Sequence, residues 1–234
     1  MNALGKTHQS SGYNMTLGRL LEGLDVAAPH GLQVTDLVQD SRAATPGCVF
    51  LACPGRTTHG LLHAATAVER GAVAVLWEPG ADLEAPVLPE RVAAIAIPHL
   101  SRHVGELADR FFRRPSADLR VAGITGTNGK TTTAFLLAQA SDLLGRRGWY
   151  VGTLGHGHPG NVRDAGLTTP DAVTVQRRLA EARDEGGYES QSVQAWRNDG
   201  SEGQAGSQRA QGSGAQGTQG NGVIRLASAM CRLG

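Results

Sequence analysis

Between Val121 and Thr133 the chain reads Val-Ala-Gly-Ile-Thr-Gly-Thr-Asn-Gly-Lys-Thr-Thr-Thr, and these residue types suit the binding of a nucleoside triphosphate. Phosphate oxygens must be met by several main-chain N–H groups. Glycine alone lets the backbone come that close with the dihedrals a cradle needs. Gly126 and Gly129 supply that freedom, with Thr127 and Asn128 between them. Lys130 brings a cation for the β- and γ-phosphate oxygens, and the Thr131 hydroxyl stands where a Mg²⁺ ligand is needed, with Thr132 behind it. The expected phosphate site is thus the turn bent by Gly126 and Gly129, with Lys130 as its cation and Thr131 on the metal. The match to G-x-x-x-x-G-K-[ST] is imperfect, because Ile124 holds the place of the first glycine and glycines stand at 123 and 126. A tight turn with a chance lysine is the competing reading. It is weakened by the strand pattern before the loop and the helix pattern after it.

Those elements have to position the loop. Leu119–Thr125 is apolar and β-branched, a buried strand; Gly126–Lys130 is the turn; Thr131–Leu144 is a helix closed by Gly145. Trp149–Leu154 reads as the next strand, which makes one βαβ unit. Thr169-Pro170-Asp171 opens another helix that runs to about Glu185. Upstream, strands are expected at Gln33–Val38, Cys48–Ala52, Val73–Trp77 and Val92–Ile97. A helix over His63–Arg70 ends at Gly71. A second, Leu100–Arg113, places Leu100, Val104, Leu107, Ala108, Phe111 and Phe112 on one face, and Arg113-Arg114-Pro115 stops it. Alternating strands and helices give an α/β fold class. The expected organisation is a small N-terminal α/β substrate domain over 15–98, then the truncated start of a P-loop ATPase-type parallel-sheet domain over 99–185. Thr16 before Leu17-Gly18-Arg19-Leu20-Leu21 reads as a helix cap. Residues 1–14 read as a disordered leader. Residues 186–234, dominated at first by Gly, Gln and Ser, cannot bury enough apolar surface to offset their ordering entropy and read as a disordered tail.

Composition narrows the partners. The 234 residues are 40% apolar, and 22 Lys plus Arg nearly balance 21 Asp plus Glu. No broad positive field exists to hold nucleic acid or an anionic membrane. No apolar run approaches the roughly 18 residues needed to cross a bilayer. The polar N-terminus lacks the apolar core of a secretory signal. A cytoplasmic monomer is expected. Cys48 and Cys53 have a spacing that puts them on opposite faces of a strand; with Cys231 they read as free thiols rather than a metal or disulfide framework. His156-Gly157-His158, in a Gly-rich loop without a nearby carboxylate or Cys, is read as loop and not as a metal site.

The form Thr-Gly-Thr-Asn-Gly-Lys-Thr-Thr resembles the phosphate loop of the Mur ligases and their folylpolyglutamate synthetase relatives. Three further passages carry the resemblance. Asp40-Ser41-Arg42 with Pro46-Gly47-Cys48-Val49-Phe50 is similar to a first-domain signature. Pro54-Gly55-Arg56-Thr57-Thr58-His59-Gly60, followed by Ala67 and Gly71-Ala72-Val73-Ala74-Val75, is similar to its continuation. Leu167-Thr168-Thr169-Pro170-Asp171 resembles a Thr-Thr-Pro turn of the UDP-N-acetylmuramoyl-tripeptide synthetase (MurE) branch. The resemblance covers about residues 15–185.

What it implies is an ATP- and Mg²⁺-dependent ligase of peptidoglycan precursor synthesis. Such an enzyme adds meso-diaminopimelate or L-lysine to UDP-N-acetylmuramoyl-L-alanyl-D-glutamate through an acyl phosphate. On this reading Gly126, Thr127, Asn128, Gly129, Lys130, Thr131 and Thr132 form the ATP cradle, with Lys130 in the catalytic role and Thr131 on Mg²⁺; Ser41 and the Arg56-Thr57-Thr58 loop hold the UDP end of the substrate, and Thr168 and Thr169 bond its muramoyl-peptide part. Simpler roles stand beside these: Ser41 in a turn capped after Asp40, Arg42 in a surface ion pair, Thr169 as a helix cap. The family's later motifs, a Glu-bearing strand and the third domain's amino-acid site, are absent from this sequence. A truncated chain without turnover, with apolar surface left uncovered, is therefore expected. A non-catalytic nucleotide- or UDP-muramoyl-peptide-binding fragment and a sibling ligase of the MurF type are the alternatives.

Overall fold

The computed structural model describes residues 12–55, 57–80, 83–163, 170–186 and 225–226. Two compact units account for them. Among the described residues the first runs to Pro115 and takes in the chain again from 170 to 180; the second takes 116–163, 181–186 and 225–226.

The first unit begins with β1 (Met15–Thr16) and the short helix α1 (Leu17–Leu20), whose N-cap is Thr16, its hydroxyl accepting from the Arg19 N–H. β2 (Gln33–Val34) pairs with β1, and Thr35 separates it from β3 (Asp36–Val38), so the expected strand Gln33–Val38 is two strands in two sheets. There follow β4 (Cys48–Ala52), α2 (Ala64–Glu69), β5 (Ala74–Trp77), β6 (Ala93–Ala96) and α3 (Leu100–Phe111). The strands β3-β4-β5-β6 form a parallel sheet in that order, with Val49 opposite Ala74 and Leu76 opposite Ile95. A parallel sheet covered on both faces needs apolar residues on both, which is why Cys48–Ala52 reads as an unbroken apolar run and is buried throughout.

One face, through Leu37, Val49, Leu51, Ala74 and Leu76, joins a core with Leu17 and Leu20 of α1 and Leu100, Val104, Leu107, Ala108 and Phe111 of α3. The other, through Cys48, Phe50, Ala52, Val75 and Trp77, packs with Ala64 and Ala67 of α2. Cys53 packs against the first of these clusters and Cys48 lies in the second, so the two thiols do take opposite faces. Both are free, and burial pushes each thiol up to about 11.

Helix α2 ends as expected at Gly71, in the paired closure where the Gly71 N–H reaches the Val68 carbonyl and Ala72 reaches Ala67. The apolar face read for α3 is buried in full, Phe112 included. That burial places α3 with the first unit rather than with the phosphate loop, and the unit boundary falls at Pro115 instead of 98. Arg113 and Arg114 both take left-handed conformations before Pro115, ending the helix where the sequence predicted.

A long-range ion pair completes this core. Asp36 on β3 is 2% exposed. It meets Arg177 in a two-point pair, Nη1 to Oδ2 at 3.0 Å and Nη2 to Oδ1 at 2.9 Å. Arg177 also donates to the Leu37 carbonyl at 2.9 Å and lies over the Phe112 ring. It belongs to α5 (Ala172–Gly186), whose Val173 and Ala180 are buried in the same core.

The second unit holds β7 (Ala122–Gly123), α4 (Lys130–Leu143), β8 (Tyr150–Gly152), β9 (Gly155–His158) and β10 (Asn161–Arg163), with β11 (Arg225–Leu226). The expected parallel βαβ unit is corrected here: β7 pairs antiparallel with β11, while β8, β9 and β10 form a separate antiparallel sheet. The link from β8 to β9 is only Thr153-Leu154, and a two-residue link folds a strand back on its neighbour before any parallel partner is reached. β11 also lies where only a disordered tail was expected. His156 of β9 stands 3.5 Å from Glu181. Among the described residues no group of three or more His, Cys, Asp or Glu is placed to hold a metal, and no helix is long and apolar enough to cross a membrane. Helix α4 buries Ala138 and leaves Leu136, Leu137, Leu143 and Leu144 exposed.

Removing one member of a buried pair strands the other in low dielectric. Asp36→Ala is expected to lower stability by about 3–5 kcal/mol in urea denaturation. Asp36→Leu with Arg177→Met should recover most of that loss. A single-variant loss below about 1 kcal/mol would show that the pair does not anchor α5.

Candidate functional site

Phosphate binding requires donors that nothing else has used. The first turn of any helix carries N–H groups without intrahelical acceptors, and at α4 the N-cap is Gly129, which has no side-chain cap. Gly129 has φ +77° and Gly126 φ +144°, conformations that only glycine takes without strain. Thr125 through Lys130 are exposed. The start of α4 therefore presents amides that no side chain caps and the positive end of a 14-residue helix dipole to solvent. Lys130 Nζ donates back to the Gly126 carbonyl and, at 3.1 Å, to that of Thr127, so the ammonium already sits over the loop. Thr131 Oγ1 lies 2.9 Å from Thr153 Oγ1 in the β8–β9 link. The structure thus brings Gly126, Thr127, Asn128, Gly129, Lys130, Thr131 and Thr132 into one loop–helix junction. This donor set fits a triphosphate, and the Thr131 hydroxyl is an oxygen ligand of the hard kind Mg²⁺ prefers. Thr153 went unnoticed in the sequence, where it read as part of a strand ending at Leu154.

The first unit carries a cleft of about 570 Å³ lined by Gln39, Asp40, Ser41, Arg42, His63 and Asp171, with Phe50 among its apolar residues. Ser41 is 8% exposed and opens the single turn Ser41–Ala43, which Asp40 caps by accepting from the Arg42 N–H at 2.9 Å. Arg42 closes a two-point ion pair on the same carboxylate, Nε to Oδ1 at 3.0 Å and Nη2 to Oδ2 at 2.7 Å. The turn and ion-pair roles foreseen for this tripeptide are therefore present. Ser41 is the sequence-predicted substrate residue that also lines the cleft.

Asp171 lies at the start of α5, where its carboxylate accepts from the Thr174 N–H at 2.8 Å and from the Thr174 hydroxyl at 2.9 Å. Neither His63 nor Gln39 was singled out in the sequence, and nothing in their local spacing signals a site. Thr57 and Thr58 sit on an exposed loop closed by the Gly55 N–H to Thr58 carbonyl bond, outside the cleft's lining. Arg56, Thr168 and Thr169 lie outside the described residues.

Hydrogen bonds from the Arg42 side chain hold the Asp40 carboxyl below its ordinary value against the opposing effect of burial, and the charge of His63 adds slightly. A depressed folded value stabilises the fold above the unfolded carboxylate range, and the contribution is lost as pH falls through the folded value. With the Asp40 side chain 40% exposed, the effect is small, a few tenths of a kcal/mol. In a carbon-detected NMR titration the Asp40 midpoint should rise into the ordinary range in Arg42→Gln. An unchanged midpoint would remove Arg42 as the cause.

The chain is similar to known proteins. The model of the Mur ligase family, catalytic domain, matches residues 33–112, and that of the Mur ligase middle domain matches 124–189. The UDP-N-acetylmuramoyl-L-alanyl-D-glutamate--2,6-diaminopimelate ligase of Xanthomonas oryzae pv. oryzae (strain MAFF 311018) is 47% identical over 173 residues, which cover 74% of this chain and 34% of that one. Its counterpart in Ectopseudomonas mendocina (strain ymp) is 44% identical over 172 residues, again 74% of this chain and 34% of the relative. The chain spans about a third of the length of the curated relatives it matches. A solved structure of a ligase with the same name shares the fold, with a TM-score of 0.56 at 24% identity over 74% of this chain and 34% of that one.

Proposed function

Because this chain belongs to the Mur ligase family, we propose that it holds ATP and a UDP-linked muramoyl peptide for an amide-bond ligation of peptidoglycan precursor synthesis, in the cytoplasm. The acceptor is UDP-N-acetylmuramoyl-L-alanyl-D-glutamate. The relatives' names favour 2,6-diaminopimelate over lysine as the incoming amine. ATP with Mg²⁺ supplies a phosphoryl group that turns the acceptor's carboxylate into a good acyl donor.

This chain's own part is positioning and charge. The amides from Gly126 to Thr132 hold the phosphates, Lys130 leaves its loop carbonyls to neutralise negative charge on the β/γ oxygens, and Thr131 offers an oxygen to Mg²⁺. Ser41, with Arg56, Thr57 and Thr58, serves the UDP end; Thr168 and Thr169 serve the peptide. The observation that carries the reading is the uncapped start of α4 with the Lys130 ammonium already poised above it.

A second reading, nucleotide and substrate binding without turnover, is favoured by the leucine face that α4 leaves uncovered. A phosphate-release assay with ATP, diaminopimelate and the UDP-muramoyl dipeptide separates the two. Turnover comparable to a full-length ligase would exclude the second.

Isothermal titration with ATP tests the site itself. Lys130→Ala is expected to weaken binding about 10- to 100-fold, the scale of a lost charge-assisted contact. Unaltered affinity in a folded variant would sink the proposal.

A further inference from the structure

A hydroxyl has one proton and two lone pairs, so it cannot serve a metal well unless its proton has somewhere to go. Once Thr131 Oγ1 gives a lone pair to a cation, its O–H becomes a stronger donor and needs an acceptor on the side away from the metal. In many phosphate-loop proteins an aspartate at the end of a neighbouring strand accompanies the loop's Ser or Thr at Mg²⁺. No carboxylate is found bonded to Thr131 among the described residues. The group that meets its hydroxyl is Thr153 Oγ1, at 2.9 Å, just past the end of β8.

The site is otherwise built for the nucleotide. Thr131 follows Lys130 in the first turn of α4. Thr153 is held by a short link whose next residue, Leu154, donates its N–H to the Tyr150 hydroxyl, and Tyr150 is itself 2% exposed and stacked edge-on against Phe135 of α4. A buried aromatic therefore fixes the link that carries Thr153.

We infer that Thr153 is a positioning residue: its hydroxyl oxygen accepts a hydrogen bond from the Thr131 O–H and so turns a Thr131 lone pair toward the Mg²⁺ of bound nucleotide. The inference rests on the nucleotide reading above. It assigns Thr153 no contact with ATP, so its signature is specific. Affinity for metal-free ATP should not depend on Thr153, whereas the gain in affinity produced by Mg²⁺ should.

The test is isothermal titration of the full chain with ATP, in excess Mg²⁺ and in EDTA, for wild type, Thr153→Val and Thr153→Ser. Valine keeps the β-branched shape and removes only the hydroxyl. Expected are an unchanged affinity in EDTA for all three proteins, a Mg²⁺-dependent gain reduced about tenfold in Thr153→Val, and restoration of that gain in Thr153→Ser. The inference is overturned if Thr153→Val keeps the full gain, or if it loses affinity equally with and without Mg²⁺, which is the mark of a merely structural link. Should Thr153→Val fail to fold, Thr153→Ser decides alone with Thr153→Ala beside it: equal Mg²⁺ gains in those two overturn the role. A wild type that binds ATP with no gain from Mg²⁺ overturns it as well. A wild type that binds no ATP removes the proposed function with it, whereas loss of the Lys130 effect alone speaks only to that function.

Discussion

The start of α4 depends on main-chain donors that no side chain caps. A triphosphate is held by amides more than by side chains, and amides are free only where a helix begins without a cap. Gly126 and Gly129 bend the chain so that α4 starts in the open; the Gly129 carbonyl accepts the Thr133 N–H, but the residue has no side chain to cap the first turn. A serine or aspartate at 129 could cap the helix only by leaving the left-handed conformation in which Gly129 turns the chain. The ordinary route to a stabler helix is thus closed at this position by the turn itself.

The first unit meets a different constraint. Its parallel sheet must be covered on both faces, and α1, α2 and α3 supply most of the cover. Residues from far along the chain supply the rest: Arg177 reaches Asp36 across 141 positions of sequence. Burying that pair is costly unless both partners are fully bonded, and here the guanidinium meets a carboxylate, a carbonyl and an aromatic face together. Its placement holds the first turns of α5, and with them Asp171, at the cleft that contains Ser41.

How much of this was legible in the sequence depended on range. Cys48–Ala52 and the α3 stripe were readable because continuous apolar runs and 3.6-residue spacing are local consequences of burial. The phosphate loop was readable because its chemistry needs Gly, Lys and Thr within a few positions. Partners were not. Nothing near Asp36 announces Arg177, and nothing near Thr131 announces Thr153, since each pair forms only when distant segments fold together. The parallel pairing expected of β7 and β8 failed for the same reason: local pattern identifies a strand, whereas its neighbour is chosen by link length and by what other strands are at hand. Asp171 was visible as part of a motif, yet its double bond to Thr174 required the helix to be seen.

Lys130 folded onto the carbonyls of Gly126 and Thr127 also bears on which anions would displace them. An ammonium satisfied by two neutral oxygens gains little by trading them for chloride, a large and weakly localised monovalent charge. It gains much from a polyphosphate, whose several oxygens replace both carbonyls and add net charge. On these terms an anion at the loop would be discriminated by its valence rather than by its shape.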